Sequence, residues 1–160
     1  MATRRGSVAF LLAQVGALAA ERFGERAATI GLTRAQTGTL RILARGEPMS
    51  QQALAEALDL VPSRLVVIVD ELAEMGVVER RAAENDRRAH ALHLTPKGKE
   101  LMGKLSQVGQ EHDQTFTAPL TDAEKTELGA LLEKLATAHG LTPQVHPGYR
   151  TMGPPEKKKR

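Results

Sequence analysis

The run MSQQALAEALDLVPSRLVVIVDELAEMGVVERRAAENDRRAHALHL, residues 49–94, is compatible with few folds. Ser50 stands where a helix N-cap belongs, and the helix it opens can run through Leu58. Asp59 to Val61 then turn the chain. Pro62 suits the first position of a second helix, where a missing N–H costs nothing. Leu54, Leu58, Leu65, Ile68, Val69 and Leu72 make a stripe that can pack the two helices together, the pattern of a helix-turn-helix. Gly76 falls where a left-handed terminator would end the second helix. Val77 to Arg81 and Ala89 to Leu94 read as two short strands about a charged tip, Glu84 to Arg88. A hairpin in that place is a wing, so residues 31–94 are expected to form a winged helix-turn-helix lobe.

The flanks read as helices. From Ser7 to about Ile30, Phe10, Leu11, Val15, Leu18 and Phe23 recur near helical spacing, and Gly31 can end the run. Thr33 with Gln36 matches a capping box for a helix to about Arg45, and Gly46-Glu47-Pro48 breaks the chain before the central run. Thr95-Pro96 opens a helix to about Phe116 whose apolar side is Leu101, Leu105, Val108, His112 and Phe116. Pro119 stops it. Thr121 with Glu124 caps a last helix to about Ala138, striped by Leu128, Leu131, Leu132 and Leu135. This is more apolar surface than one such lobe can cover. Residues 7–30 and 95–139 are therefore expected to be the dimerisation layer of a homodimer, whose two-fold axis would set two recognition helices about one DNA turn apart. Residues 1–6 read as a disordered arm and 140–160 as a disordered basic tail. The expected class is mainly α with a small β-wing.

Composition removes several alternatives. Aromatic residues are 2% of the chain, so an aliphatic core fits and base stacking on aromatic platforms does not. There is no cysteine, which excludes disulfides, thiolate metal sites and thiol redox chemistry. His90 and His93 are three apart on a strand and so face opposite sides, and His112, His139 and His146 are scattered; no metal is expected. No nucleophile with a neighbouring base and no phosphate loop appears, so neither an enzyme nor a cofactor is expected. No apolar run suits a membrane span, and Met1 to Gln14 lacks a convincing cleavage site; a cytoplasmic protein with no membrane partner is expected.

Charge points to nucleic acid. Net charge is +3, and the tail alone holds Arg150, Lys157, Lys158, Lys159 and Arg160 against Glu156. A second concentration is Arg80, Arg81, Arg87, Arg88, Lys97 and Lys99, on the wing and just after it. The outward face of the second helix of the motif would be Ser63, Arg64, Val66, Val67 and Asp70. Residues near its N-terminus enter the major groove in such motifs, which makes Ser63 and Arg64 candidates to reach bases. Arg64 can pair with a guanine or bind phosphate alone, and Val67 can touch a thymine methyl or belong to the core. Asp70, Glu71 and Glu74 would repel DNA and are expected to face away. Asp86 and Arg88 would project to one side of an extended segment, so that the carboxylate holds the guanidinium for a narrow minor groove. A solvated loop explains the same charges. Ser50, Gln51, Arg80 and Arg87 complete the set expected at DNA. The basic tail adds salt-sensitive, non-specific affinity or has no role.

Taken together, residues 7–138 resemble the MarR-type winged helix-turn-helix regulators. GLTRAQTGTLRIL is similar to the second helix of that family, MSQQALAEAL with PSRLVVIVDELAEMGVVER to its helix-turn-helix, and NDRRAHALHLTPKGKEL to its wing, Asp-x-Arg followed by strand, Thr-x-x-Gly and helix. The resemblance implies a homodimeric repressor of transcription on a pseudo-palindromic operator, often released by a small ligand such as a phenolic compound. It implies Arg88 in the minor groove with Asp86 behind it, and Ser63 and Arg64 in the major groove. Two residues depart from the pattern: Val61 stands where a polar cap is usual, and Val67 where an arginine is frequent. The base sequence read is therefore not transferable from relatives.

The resemblance also implies an effector cleft reached by the first, second and fifth helices. Its first-helix wall would be Phe10, Gln14 and Leu18, with Gln14 the sole polar group, which suits a small apolar or aromatic effector; the same residues are explained as core. Two other functions compete, a winged-helix module for protein contacts without specific DNA binding, and a ligand or metal sensor in which DNA binding is secondary.

Overall fold

The structure, a computed structural model, describes residues 6–47, 49–83, 86–143, 145 and 146, and at 83 and 86–89 it describes the backbone. In chain order these residues form α1 (Val8–Ala28), α2 (Arg34–Leu43), β1 (Met49–Ser50), α3 (Gln51–Ala57), α4 (Pro62–Glu74), β2 (Val78–Ala83), β3 (Asp86–Leu94), α5 (Pro96–Phe116) and α6 (Asp122–Ala138). The mainly helical fold with a small antiparallel sheet is the one the sequence led us to expect. Among the described residues no helix is long and apolar enough to cross a membrane.

Helix starts follow their capping residues. The Thr33 hydroxyl accepts from the Gln36 N–H at 3.3 Å while Gln36 Oε1 accepts from the Thr33 N–H at 2.9 Å. Thr121 and Glu124 repeat this box at the head of α6. Ser50 Oγ accepts from the Ala53 N–H at 3.1 Å and starts α3. α4 has no side-chain cap, because Val61 holds that position, and begins on Pro62 instead. Between α3 and α4 the chain reverses through Asp59, at φ 53°, and the Leu60 N–H donates to the Ala55 carbonyl at 2.9 Å. Gly76, at φ 72°, ends α4 in a Schellman turn. Its N–H donates to Ala73 at 2.9 Å and the Val77 N–H to Leu72 at 3.1 Å.

The core is aliphatic, and among the described residues its buried hydrophobic members, apart from Ala27 of α1 and Leu105 of α5, lie between Leu32 and Leu92. α2 is the hub, touching α1, α4, α5 and β3. It buries three polar side chains, each satisfied: Gln36 Nε2 donates to Glu71 at 2.8 Å, and Thr37 and Thr39 donate to the Arg34 and Ala35 carbonyls at 2.6 and 3.1 Å.

The sheet differs from expectation in two ways. Its order is β1-β3-β2, and β1, which the sequence did not announce, pairs Met49 with Leu92 and Ser50 with Ala91. The arms of the wing are also longer: β2 reaches Ala83 and β3 starts at Asp86, so that Asp86, Arg87 and Arg88 belong to a strand by backbone and not to the tip. Ladder hydrogen bonds join main-chain groups, so a run of charged side chains does not end the pairing. A register shift between Ala82 and Ala83 bends the arm near its end.

The end of α4 is tied to the start of α5 by a dense knot. Thr95 Oγ1 donates to the Gly76 carbonyl at 2.7 Å and accepts from the Gly98 N–H at 3.0 Å, and Lys97 Nζ donates to the Met75 carbonyl at 2.8 Å. Gly98 lies so close to this turn that a Cβ there would stand 2.1 Å from the Val77 carbonyl oxygen. α6 buries no residue, and its Leu128, Leu131, Leu132 and Leu135 are 40–53% exposed. Beyond Gly140 the chain turns back: Arg45 donates to the Pro143 carbonyl at 2.8 Å and Val145 packs against the core. That much of the segment 140–160 is packed; residues 144 and 147–160, with the arm before residue 6, lie outside the described residues.

Candidate nucleic-acid interface

α4 has two faces. Leu65, Ile68, Val69 and Leu72 are buried against α2, α3 and β2, which fixes the roll of the helix. Ser63, Val66, Val67 and Asp70, at helical spacing on the other side, are exposed, and Arg64 on the flank is half-buried. The core reading of Val66 and Val67 is thereby excluded. Ser63 and Val67 share the surface to which they were assigned, and Ser50 and Gln51 begin the preceding helix.

Asp70 does not face away. It lies on the outward side of α4, and Arg80 of β2 closes an ion pair with it, Nη2 to Oδ1 at 2.6 Å. The same nitrogen reaches Gln51 Oε1 at 3.5 Å. Arg80, expected as a direct DNA contact, is thus engaged in roping the wing to both helices of the motif. The next residue, Arg81, points to the opposite side of the strand, where it pairs with Glu79. Neither link was visible in the sequence, because each partner sits on another element or has an equally plausible solvent role. The side chains of Asp86, Arg87 and Arg88 lie outside the described residues; their backbone is the outer part of β3.

Pairing with Arg80 offsets the negative charge that Asp70 places beside Ser63 and Val67. Arg80→Ala is expected to expose that carboxylate to DNA phosphates and lower affinity roughly tenfold, and Asp70→Asn on top of it to restore most of the loss. Fluorescence anisotropy on the single and double variants checks this. A double variant as weak as Arg80→Ala alone would mean that Arg80 acts by touching DNA itself.

Phe10, Gln14 and Leu18 do not wall a described cavity. All three are exposed on α1. A groove of about 600 Å³ lies between α2 and α5, with Arg41, Arg45, Met102, Leu105, Gln110 and Asp113 in its lining. These arginines are four apart near the end of α2, a spacing visible in the sequence; what was not visible is that α5 lies across from them. Arg41 also stacks on the Phe23 ring at 4.9 Å, and Phe23 meets His112 edge-on with centroids 5.7 Å apart. Burial holds the His112 imidazole below its ordinary pKa, Arg26 and Arg22 add to the depression, and Asp113 opposes it. Neutral imidazole is therefore favoured in this cluster at pH 7. No group of three or more His, Asp or Glu placed to hold a metal occurs among the described residues.

Comparison with known proteins agrees with this geometry. A family model described as MarR family matches residues 30–89. A protein of Thauera aromatica named as a putative transcriptional regulatory protein for the hcr operon is 37% identical over 115 residues, 72% of this chain and 69% of that protein. An HTH-type transcriptional repressor of Mycobacterium tuberculosis is 27% identical over 128 residues, 80% of this chain and 92% of its own. Among solved structures, a mutant of MarR from E. coli superposes with a TM-score of 0.75 at 25% identity, covering 83% of this chain and 98% of that one. The same mutant in complex with operator DNA gives 0.67 at 27% identity, over 80% and 92%.

Proposed function

The chain belongs to the MarR family of transcriptional regulators, and from that premise we propose that it binds a pseudo-palindromic operator as a homodimer and represses transcription. The observation that carries the proposal is the outward face of α4. That helix is locked from behind by four buried aliphatic residues, flanked by a wing tied to it through Arg80 and Asp70, and has Ser63 and Val67 open to solvent. In relatives solved with operator DNA the same fold sits on a duplex. The lobe 31–94 would read the DNA, α1, α5 and α6 would join two chains, and the protein would work in the cytoplasm, where the chromosome is.

The exposed leucines of α6, with Phe10, Leu11, Val15 and Leu18 of α1, support the dimer. Two apolar helix faces without cover in one chain are the kind of surface a two-fold partner buries. In the wing, Arg88 is assigned to the minor groove with Asp86 as its support, and Arg87 to phosphate. Release by an effector belongs to the same reading. The groove between α2 and α5, lined by Arg41, Arg45, Met102, Leu105, Gln110 and Asp113, is where we place the effector. The relatives are named as transcription regulators, and the role proposed for this chain is binding without catalysis.

Arg88→Ala tests the wing. Operator affinity is expected to fall at least tenfold, a loss typical of a charged group at a DNA contact, while sedimentation shows an unchanged dimer. Unchanged affinity would take the wing out of the mechanism.

A further inference from the structure

The outward face of α4 carries two exposed valines beside Ser63 and Asp70. Val66 and Val67 are 40% and 55% exposed, and Val61 at the N-cap is 63% exposed. Scattered apolar residues on a surface need no explanation, but these three lie within seven positions at the leading end of α4, and Val66 and Val67 fall outside its buried stripe. A valine side chain can neither donate nor accept a hydrogen bond, so this face cannot read the polar edges of guanine, adenine or cytosine through them. The apolar group that a base presents in the major groove is the C5 methyl of thymine.

The geometry favours such a contact. Val66 lines a shallow hollow of about 280 Å³ between α3 and α4, where Ala55, Leu60 and Pro62 offer carbon to an entering methyl and Gln51, Gln52 and Glu56 form the rest of the wall. Valine in a helix is held largely to one χ1 rotamer, so little freedom is lost on contact. We propose that Val66 and Val67 are specificity-determining residues that read thymine methyl groups, so that each half-site of the operator carries thymines opposite the first two turns of α4. This rests on the DNA-binding reading above and adds to it the chemistry being recognised. Ser63, on the same face, is left for a polar edge or a phosphate.

The test uses the full-length dimer and a duplex enriched by it from a randomised pool. The same duplex is synthesised with deoxyuridine in place of thymidine, which removes methyl groups and leaves every hydrogen-bonding edge in place. Each lost contact should weaken binding about fourfold, the equivalent of roughly 0.8 kcal/mol for one buried methyl, and the fully substituted half-sites at least tenfold. Val66→Ala and Val67→Ala, at exposed positions where folding is not at stake, should shrink the ratio of thymine to uracil affinity toward one. A ratio near one for the wild type, or a ratio that both variants leave intact, would overturn the inference while DNA binding stands. A chain that enriches no duplex would overturn the DNA-binding reading and this inference with it.

Discussion

Alanine at position 98 is expected to lower the stability of the chain by about 3 kcal/mol and its thermal midpoint by roughly 10 °C. The added methyl would stand 2.1 Å from the Val77 carbonyl oxygen, well inside any contact distance, and that carbonyl also receives the Thr95 N–H at 3.1 Å. Nothing flexible is there to yield. The whole turn from Met75 to Val77, fastened by Thr95 and Lys97, has to move away from α5. Gly103 is the control on the same helix. A Cβ there meets nothing within 4 Å, so Gly103→Ala should be neutral or stabilise by about 0.5–1 kcal/mol through helix propensity. Thermal melts followed by circular dichroism decide it, and equal midpoints for the two variants would refute the close approach at Gly98.

The second large effect concerns α6. Leu131→Glu places a charge in the middle of a face where Leu128, Leu131, Leu132 and Leu135 are all exposed in the single chain. If that face is the dimer contact, burying the carboxylate costs several kcal/mol and the variant should sediment as a monomer at micromolar concentration. Operator affinity should then fall about 100-fold or more, because one lobe would bind a half-site without the other holding it near. Glu133→Gln, on the other side of α6, should leave both properties unchanged. A Leu131→Glu protein that remains dimeric would move the contact to another surface.

What the sequence disclosed was mostly local. Thr33 with Gln36, Ser50, Pro62, Gly76, Thr95-Pro96 and Thr121 with Glu124 each act on backbone groups within four residues, and each marks the boundary the structure has. The stripe from Leu54 to Leu72 is periodic, and every member of it is buried. What the sequence did not disclose depends on partners distant along the chain. β1 is two residues long, too short for any alternation, and exists because Met49 and Ser50 meet Leu92 and Ala91. Asp70 was expected to turn from DNA on the ground of its charge, yet the roll of α4 is set by four apolar residues and carries Asp70 outward, where Arg80 meets it. The groove with Arg41 and Arg45 requires α5 to lie across α2, and the packing of Val145 requires the chain to return after α6.

Sequence-specific binding of DNA by a dimer is measured most directly by fluorescence anisotropy with the duplex immediately upstream of the coding region of this protein, against an unrelated fragment, at about 50 and 200 mM salt. Binding of one dimer per site, with affinity for the upstream fragment at least about 1,000-fold above that for the unrelated one at the higher salt, is the predicted result. Equal affinity for the two fragments, collapsing together as salt rises, would mean that phosphate contacts alone hold the protein and would contradict the account.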